Sequence, residues 1–147
     1  MAHGLGQVVA VCISERTGEQ KKAVDSIQLV EDYGIVGDAH GGTERQVSLL
    51  AKESIDTMRA KGLTLADGDF AENIVTSGVD LLKTDLGTRI EIADVVLEVT
   101  QIGKTCHQRC AIYHQAGDCV MPTQGIFVKV IEGGAIRSGD EIHITYP

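Results

Sequence analysis

A chain of 147 residues with 13 basic and 21 acidic side chains, formally -8 at pH 7, excludes a surface built to neutralise the phosphates of duplex DNA or RNA. At that length one domain buries roughly 70% of its extended-chain surface, so the four cysteines are not needed as staples. Tryptophan is absent and aromatic residues make up 3%, so the core must be aliphatic, while 17 glycines read as punctuation between short strands.

Residues 1 to 14, MAHGLGQVVAVCIS, show no cationic region ahead of a long apolar run and no small-residue cleavage pattern, so no signal peptide is expected. No apolar run approaches the roughly 20 residues that span a bilayer. A cytoplasmic location is expected, where cysteines serve as ligands or reactive groups more often than as disulfides. Within this stretch QVVAVCIS, 7 to 14, reads as an opening strand, with Cys12 as a buried small hydrophobe. ERTGEQKKA reads as a polar hairpin-like turn and SIQLV as a second strand, after which EDYGIVGDAHGG is too glycine-rich to be regular.

RQVSLLA, 45 to 51, is a further short strand. KESIDTMRAKG then sets Ile55, Met58 and Ala51 on one side of a helix that Gly62 can stop. Residues 63 to 87 mix loop and short elements. TRIEIADVVLEVTQIG holds two alternating apolar runs separated by Ala93-Asp94, the pattern of adjacent strands. GIFVKVIEGG and SGDEIHITYP give two more, joined by a glycine-rich turn at 133 to 139. Six or seven strands, one good helix and no strand–helix alternation predict a single mostly β domain over 1 to 147, a barrel or sandwich.

The chemistry concentrates in GKTCHQRCAIYHQAGDCVMP, 103 to 122. Cys106, Cys110, His114 and Cys119 form C-x3-C-x3-H-x4-C, which invites structural zinc, although the second pair lies closer than is usual for a knuckle. A disulfide such as Cys110 to Cys119 fits the same stretch. A third reading is a reactive thiolate: Arg109 adjoins Cys110, and Lys104, His107 and His114 are close in sequence, so cations are at hand to stabilise the charged sulfur for sulfur transfer or soft-metal ligation.

A second polar stretch is GIVGDAHGG followed by TERQVSLL. Its glycines would let backbone N–H groups converge on an anion, with Arg45 just beyond. A tight turn with an exposed His40 is the plain alternative. In GDFAENI, Glu72 and Asn73 read as the start of a helix capped by Asp69. The sequence offers no Ser-His-Asp order and no HExxH helix.

Taken in order, GIVGDAHGG with RQVSLL, GDFAENI, LGTRIEI with VVLEVTQIGKTCHQRC, and GIFVKVIEGGAIRSGDEI resemble the MOSC domain, named for the C-terminal domain of molybdenum cofactor sulfurase. The resemblance runs from about residue 5 to 145. It implies a β-rich, barrel-like fold with a functional cysteine that binds a molybdenum or tungsten pterin cofactor (molybdopterin) or carries sulfur for it. Carried onto this chain, it favours Cys110 as metal ligand or persulfide carrier, with Cys106 or Cys119 as exchange partner. It implies that Arg45, His40, Arg109 and His107 face the cofactor's anionic groups. Implied partners are cofactor-biosynthesis proteins or molybdoenzymes. Within these 147 residues there is neither an aminotransferase-like domain as in the sulfurases nor the companion β-barrel domain of the related reductases, so no pyridoxal phosphate and no independent reduction of N-hydroxylated substrates are expected of them. Rival readings are a zinc-stabilised protein–protein adaptor and an accessory component of a molybdenum-dependent oxidoreductase.

Overall fold

The computed structural model describes residues 2–16, 20–103 and 125–147. In chain order the described strands are β1 His3–Ile13, β2 Lys22–Val24, β3 Ser26–Val30, β4 Gly34–Ile35, β5 Val47–Ala51, β6 Ile74–Ser77, β7 Arg89–Ile92, β8 Val95–Ile102, β9 Ile126–Glu132, β10 Gly134–Arg137 and β11 Glu141–Thr145. The α-helix α1, Lys52–Arg59, follows β5 directly, and a short 3-10 turn covers Leu81–Lys83.

Strands β11, β7, β8, β9, β5, β6 and β1 pair in that order, and β1 pairs back to β11, which closes a barrel of seven strands. All these pairings are antiparallel except β5 with β6. β2 is a short addition to β1, and β10, β3 and β4 form a separate three-stranded sheet. Closure removes the exposed edges that an open sheet would offer to other chains.

The strand sequences dictate which side chains enter the barrel. Along β9, Ile126, Val128 and Val130 belong to the large core cluster while Phe127 belongs to a second one, as period-two alternation requires. β1 would break that rule, since Val8 and Val11, three apart, both join the large core. A register shift between Val8 and Ala10 against β6 reconciles them: the bulge adds a residue and returns Val11 to the inner face.

The second cluster lies on the outer face of β1, β5, β6 and β9 and is covered by α1. Ile55 and Met58, both fully buried, are the helix residues that meet Leu50, Val75 and Phe127. Each contributes about 2 kcal/mol through burial. The helix ends as its sequence suggests: Gly62 takes φ +93 and its N–H bonds the Arg59 carbonyl.

Three local expectations change. Gly134–Arg137, expected within a turn, is strand β10, held by four register pairs to β3 and by the fully buried Ile136. No helix begins near Asp69, because Ala71 sits at φ +63, which a right-handed helix cannot include. The Asp69 carboxylate instead accepts from the Ala66 N–H behind it, at 2.9 Å. ERTGEQKKA, expected as a polar hairpin-like turn, carries Lys21 buried at 2% exposure.

Lys21 owes that position to Gly68, whose carbonyl accepts the Lys21 N–H at 2.8 Å. A Cβ at Gly68 would collide with the Lys21 carbonyl, and Gly68 also sits at φ +94. Gly62 has a similar φ but open space around it. Gly68→Ala should therefore destabilise by more than the ~1–3 kcal/mol of strained backbone alone, and Gly62→Ala by no more than that. Urea unfolding of the two variants beside the parent checks the ordering.

Candidate functional site

Two charges with fully shielded side chains come together where β1 ends. Lys21 Nζ lies 2.7 Å from Asp38 Oδ1, with both side chains fully shielded from solvent. It also lies 3.1 Å from Ser14 Oγ and 3.1 Å from His40 Nδ1. The ammonium donates to Asp38 Oδ1 and Ser14 Oγ, and the His40 ring, a quarter exposed, also sets its Nδ1 3.6 Å from Asp38 Oδ2.

Asp38 is equally committed. Oδ1 accepts the Ser14 N–H at 3.1 Å and Oδ2 the His40 N–H at 3.2 Å. Burial pushes the Asp38 carboxyl up, but its contacts with His40, Lys21 and the Ser14 N–H outweigh that and hold it well below the usual carboxylate range. The glycine-rich stretch around it is tied rather than open. The N–H groups of Asp38, Ala39, Gly41 and Gly42 bond the carbonyls of Ile35, Ser14, Asp38 and Tyr33. With those donors spent within the protein, the stretch is a braced turn and not a backbone cradle for an anion.

Next to this cluster Asn73 clasps three strands. Its Oδ1 accepts the Ser48 N–H at 3.0 Å, its Nδ2 donates to the Cys12 carbonyl at 3.0 Å, and its own carbonyl accepts the Cys12 N–H at 2.7 Å. β5 and β1 are thereby fixed on either side of the entry to β6. Glu72, immediately before it, is fully buried, and its Oε1 accepts the Phe70 N–H at 3.0 Å while Oε2 has no hydrogen-bond partner. Desolvation, only partly offset by backbone donors, pushes the Glu72 carboxyl up to about 7.

Cys12 shares this environment. Burial and then the Glu72 charge push its thiol up to about 12, so at neutral pH it is a protonated, inert core residue. Its expected role as a small buried hydrophobe holds.

Arg45 occupies a different place, in front of β5. Its Nε donates to Gln101 Oε1 at 3.4 Å and its guanidinium lies 5.3 Å from the centre of the Phe127 ring. Gln101 in turn donates to the Gly103 carbonyl at 3.0 Å, and the Gly103 N–H bonds the Gly125 carbonyl. The chain thus leaves β8 and re-enters β9 through one closed neck, with Arg45 one side chain away. Among the described residues, the terminal nitrogens of Arg45 have no hydrogen-bond partner.

Cys106, Cys110, Cys119, His107 and Arg109, with Lys104 and His114, lie outside the described residues. Of the expected site residues, His40 and Arg45 are described, and they are linked through Thr43, whose Oγ1 donates to the His40 carbonyl and accepts the Arg45 N–H. Among the described residues no group of three His, Cys, Asp or Glu side chains is arranged to hold a metal ion. Lys21 escaped sequence reasoning, and Glu72 was read only as part of a helix start. Lys21 stands in a polar run with no apolar neighbour to suggest burial, and its partner Asp38 is 17 residues away.

The sequence profile of the MOSC domain matches residues 36–143. Among solved structures the fold is similar to that of YuaD from Bacillus subtilis, with TM-score 0.82 and 20% identity, covering 99% of this chain and 98% of that one. It is also similar to YiiM from Geobacillus stearothermophilus, with TM-score 0.69, 17% identity and coverage of 95% and 75%. For YiiM from Escherichia coli the TM-score is 0.62 at 18% identity, with coverage of 100% and 71%. At these identities the likeness establishes the fold alone. No protein of curated function matches the chain.

The two buried charges should behave oppositely on mutation. Lys21→Met leaves the Asp38 carboxylate buried without its cation and should cost about 3–5 kcal/mol by urea unfolding. Glu72, in contrast, titrates higher folded, near 7, than unfolded, near its ordinary 4.5. The unfolded chain therefore loses this proton first as pH rises, and stability falls between those two values by about 3 kcal/mol, then levels off. Glu72→Gln should remove that decline, which unfolding curves from pH 4.5 to pH 7.5 would reveal. An identical decline in the variant would assign it to other groups.

Proposed function

The chain belongs to the MOSC domain family, and from that premise we propose that it binds a molybdenum or tungsten pterin cofactor, or hands sulfur on to one, through the thiolate of Cys110. The observation that carries the reading is Arg45 at the neck of the cysteine-bearing segment. Its guanidinium carbon lies over the Phe127 ring, its Nε is fixed by Gln101, and among the described residues its terminal nitrogens are left for an anion. A planar cation held in that way fits the phosphate end of a pterin cofactor. His40, a quarter exposed and held at Nδ1 beside Lys21 and Asp38, is the second group proposed to face the anion.

The soft ligand would come from residues 104–124, because Cys12 is protonated and shielded in the core. Cys110 with Arg109 beside it is the favoured thiolate there. When bound, the cofactor supplies a redox-active metal that carries oxo or sulfido groups. The protein's part is to hold its phosphate at Arg45 and to offer one sulfur ligand.

Sulfur transfer uses the same groups. The Cys110 thiolate attacks the outer sulfur of a donor persulfide, the S–S bond of the donor breaks, and the donor leaves as a thiolate while Cys110 becomes the persulfide. Attack by Cys106 or Cys119 on the inner sulfur then forms a protein disulfide and releases the outer sulfur as hydrosulfide, with an external dithiol needed to restore the pair. The partners this calls for are cofactor-biosynthesis proteins or molybdoenzymes of the cytoplasm.

Native mass spectrometry of protein purified without reductant, beside Cys110→Ala, Cys106→Ala and Arg45→Ala, tests the reading. An adduct of one sulfur atom, or of molybdopterin, should vanish in Cys110→Ala and survive in Cys106→Ala. Occupancy by the pterin should fall about tenfold in Arg45→Ala, the effect of losing one charge-assisted hydrogen bond. One stoichiometric zinc, lost in both cysteine variants together with cooperative unfolding, would overturn it and leave the adaptor.

A further inference from the structure

On the far side of the barrel, where β11 lies between β1 and β7, two histidines meet across strands. His3 Nδ1 lies 3.2 Å from His143 Nε2, although the residues are 140 apart in sequence. The register explains the meeting: His3 pairs with Thr145 and Leu5 with His143, so the two rings are diagonal neighbours on one face. The ring centres are 5.3 Å apart and the planes 17° from parallel. The gap between the centre separation and the nitrogen separation is close to two imidazole radii. The nitrogens therefore lie almost on the line of centres, and the rings meet nitrogen to nitrogen instead of face over face.

On the other flank Glu91 pairs directly with His143 across β7 and β11, and its Oε2 lies 3.8 Å from His143 Nδ1. A carboxylate on that side orients the His143 ring so that its Nε2 faces His3. The remaining polar neighbour is Thr145, whose Oγ1 is 3.5 Å from His3 Nδ1. A surface carrying formally -8 sets a favourable background for a cation.

We propose that His3 and His143 form a binding site for a divalent transition-metal ion of the kind that imidazole holds, with Glu91 as the positioning residue and water completing the coordination. An ion at about 2.0–2.1 Å from both nitrogens, with the nitrogens at their present separation, subtends an angle near tetrahedral. It sits off the line between them, so the rings must pivot to aim their lone pairs at it. Both side chains are at the surface and the His143 side chain is 40% exposed, which leaves room for that pivot. Two imidazoles and no thiolate place Cu2+ highest among the first-row ions, by the usual order of stabilities. The site is independent of the cysteine-bearing segment and of the function proposed for it.

Cu2+ is the probe. Added to protein whose accessible thiols have been alkylated, it should bind with electron paramagnetic resonance couplings from two imidazole nitrogens. Either His3→Ala or His143→Ala should weaken that binding at least tenfold and remove a nitrogen coupling. Glu91→Gln should weaken it by roughly tenfold with both couplings kept. The same couplings and affinity in both histidine variants would overturn the site. Loss in His3→Ala with full retention in His143→Ala would assign the ion to His3 and its own backbone and overturn the pair. Unchanged affinity in Glu91→Gln would remove the positioning role. Far-UV circular dichroism of each variant, expected to match the parent because these side chains are outside the core, guards against misfolding.

Discussion

Everything in this fold depends on one strand serving two barrel partners. β1, 11 residues long, pairs with β11 through its first half and with β6 through its second, and the handover happens at Gln7, which has a partner on both sides. A shorter strand could pair with one of them and would leave an open sheet with two edges. The bulge at Val8–Ala10 is part of the same device. It restores the inward face after the handover, so that Val8 and Val11 both reach the core.

Closure also determines where polar groups can be buried. Once β1 passes β6 it has no further barrel neighbour, and its last residues must find hydrogen bonds elsewhere. β2 pairs with Val11 to Ile13, Asn73 bonds both the N–H and the carbonyl of Cys12, and the turn around Asp38 supplies two to Ser14. These contacts demand that Asp38 be ionised and shielded, and Lys21 follows as the cation that makes this tolerable. The glycine-rich stretch that resembled an anion cradle is thus occupied by the protein's own carboxylate.

Six of the seven barrel strands were legible in the sequence from their apolar runs, whereas β6, Ile74–Ser77, lies in the stretch read as mixed loop and short elements. Alternation separates β7 from β8 at Ala93, which takes φ +51 in the turn between them. β10 was not legible, since it contributes one buried residue, Ile136, amid glycines and charges. The polar cluster was half legible. Asp38 and His40 stand out in GIVGDAHGG, but a lysine is normally solvated, and nothing local marks Lys21 as buried. Glu72 looked like a helix start because Asp and Glu favour such positions. The left-handed Ala71 that cancels the helix is a tertiary effect. The His3–His143 pair is beyond any local reading, since it exists only through the β1–β11 register.

The same electrostatics sort the cysteines. A thiolate needs cations or donors nearby, and Cys12 has the reverse: a shielded site with the Glu72 carboxyl among its neighbours. The barrel frame is therefore chemically quiet at sulfur by construction, and any thiolate chemistry of this chain falls to Cys106, Cys110 or Cys119. That division has a physical logic. The neck at Gly103 and Gly125 ties both ends of the intervening segment to adjacent barrel strands, so its base is set by the most regular part of the molecule. Arg45 is anchored to the same base through Gln101. The cation fixed on the frame therefore stands at the place where the thiol-bearing stretch departs, Gly103, and returns, Gly125.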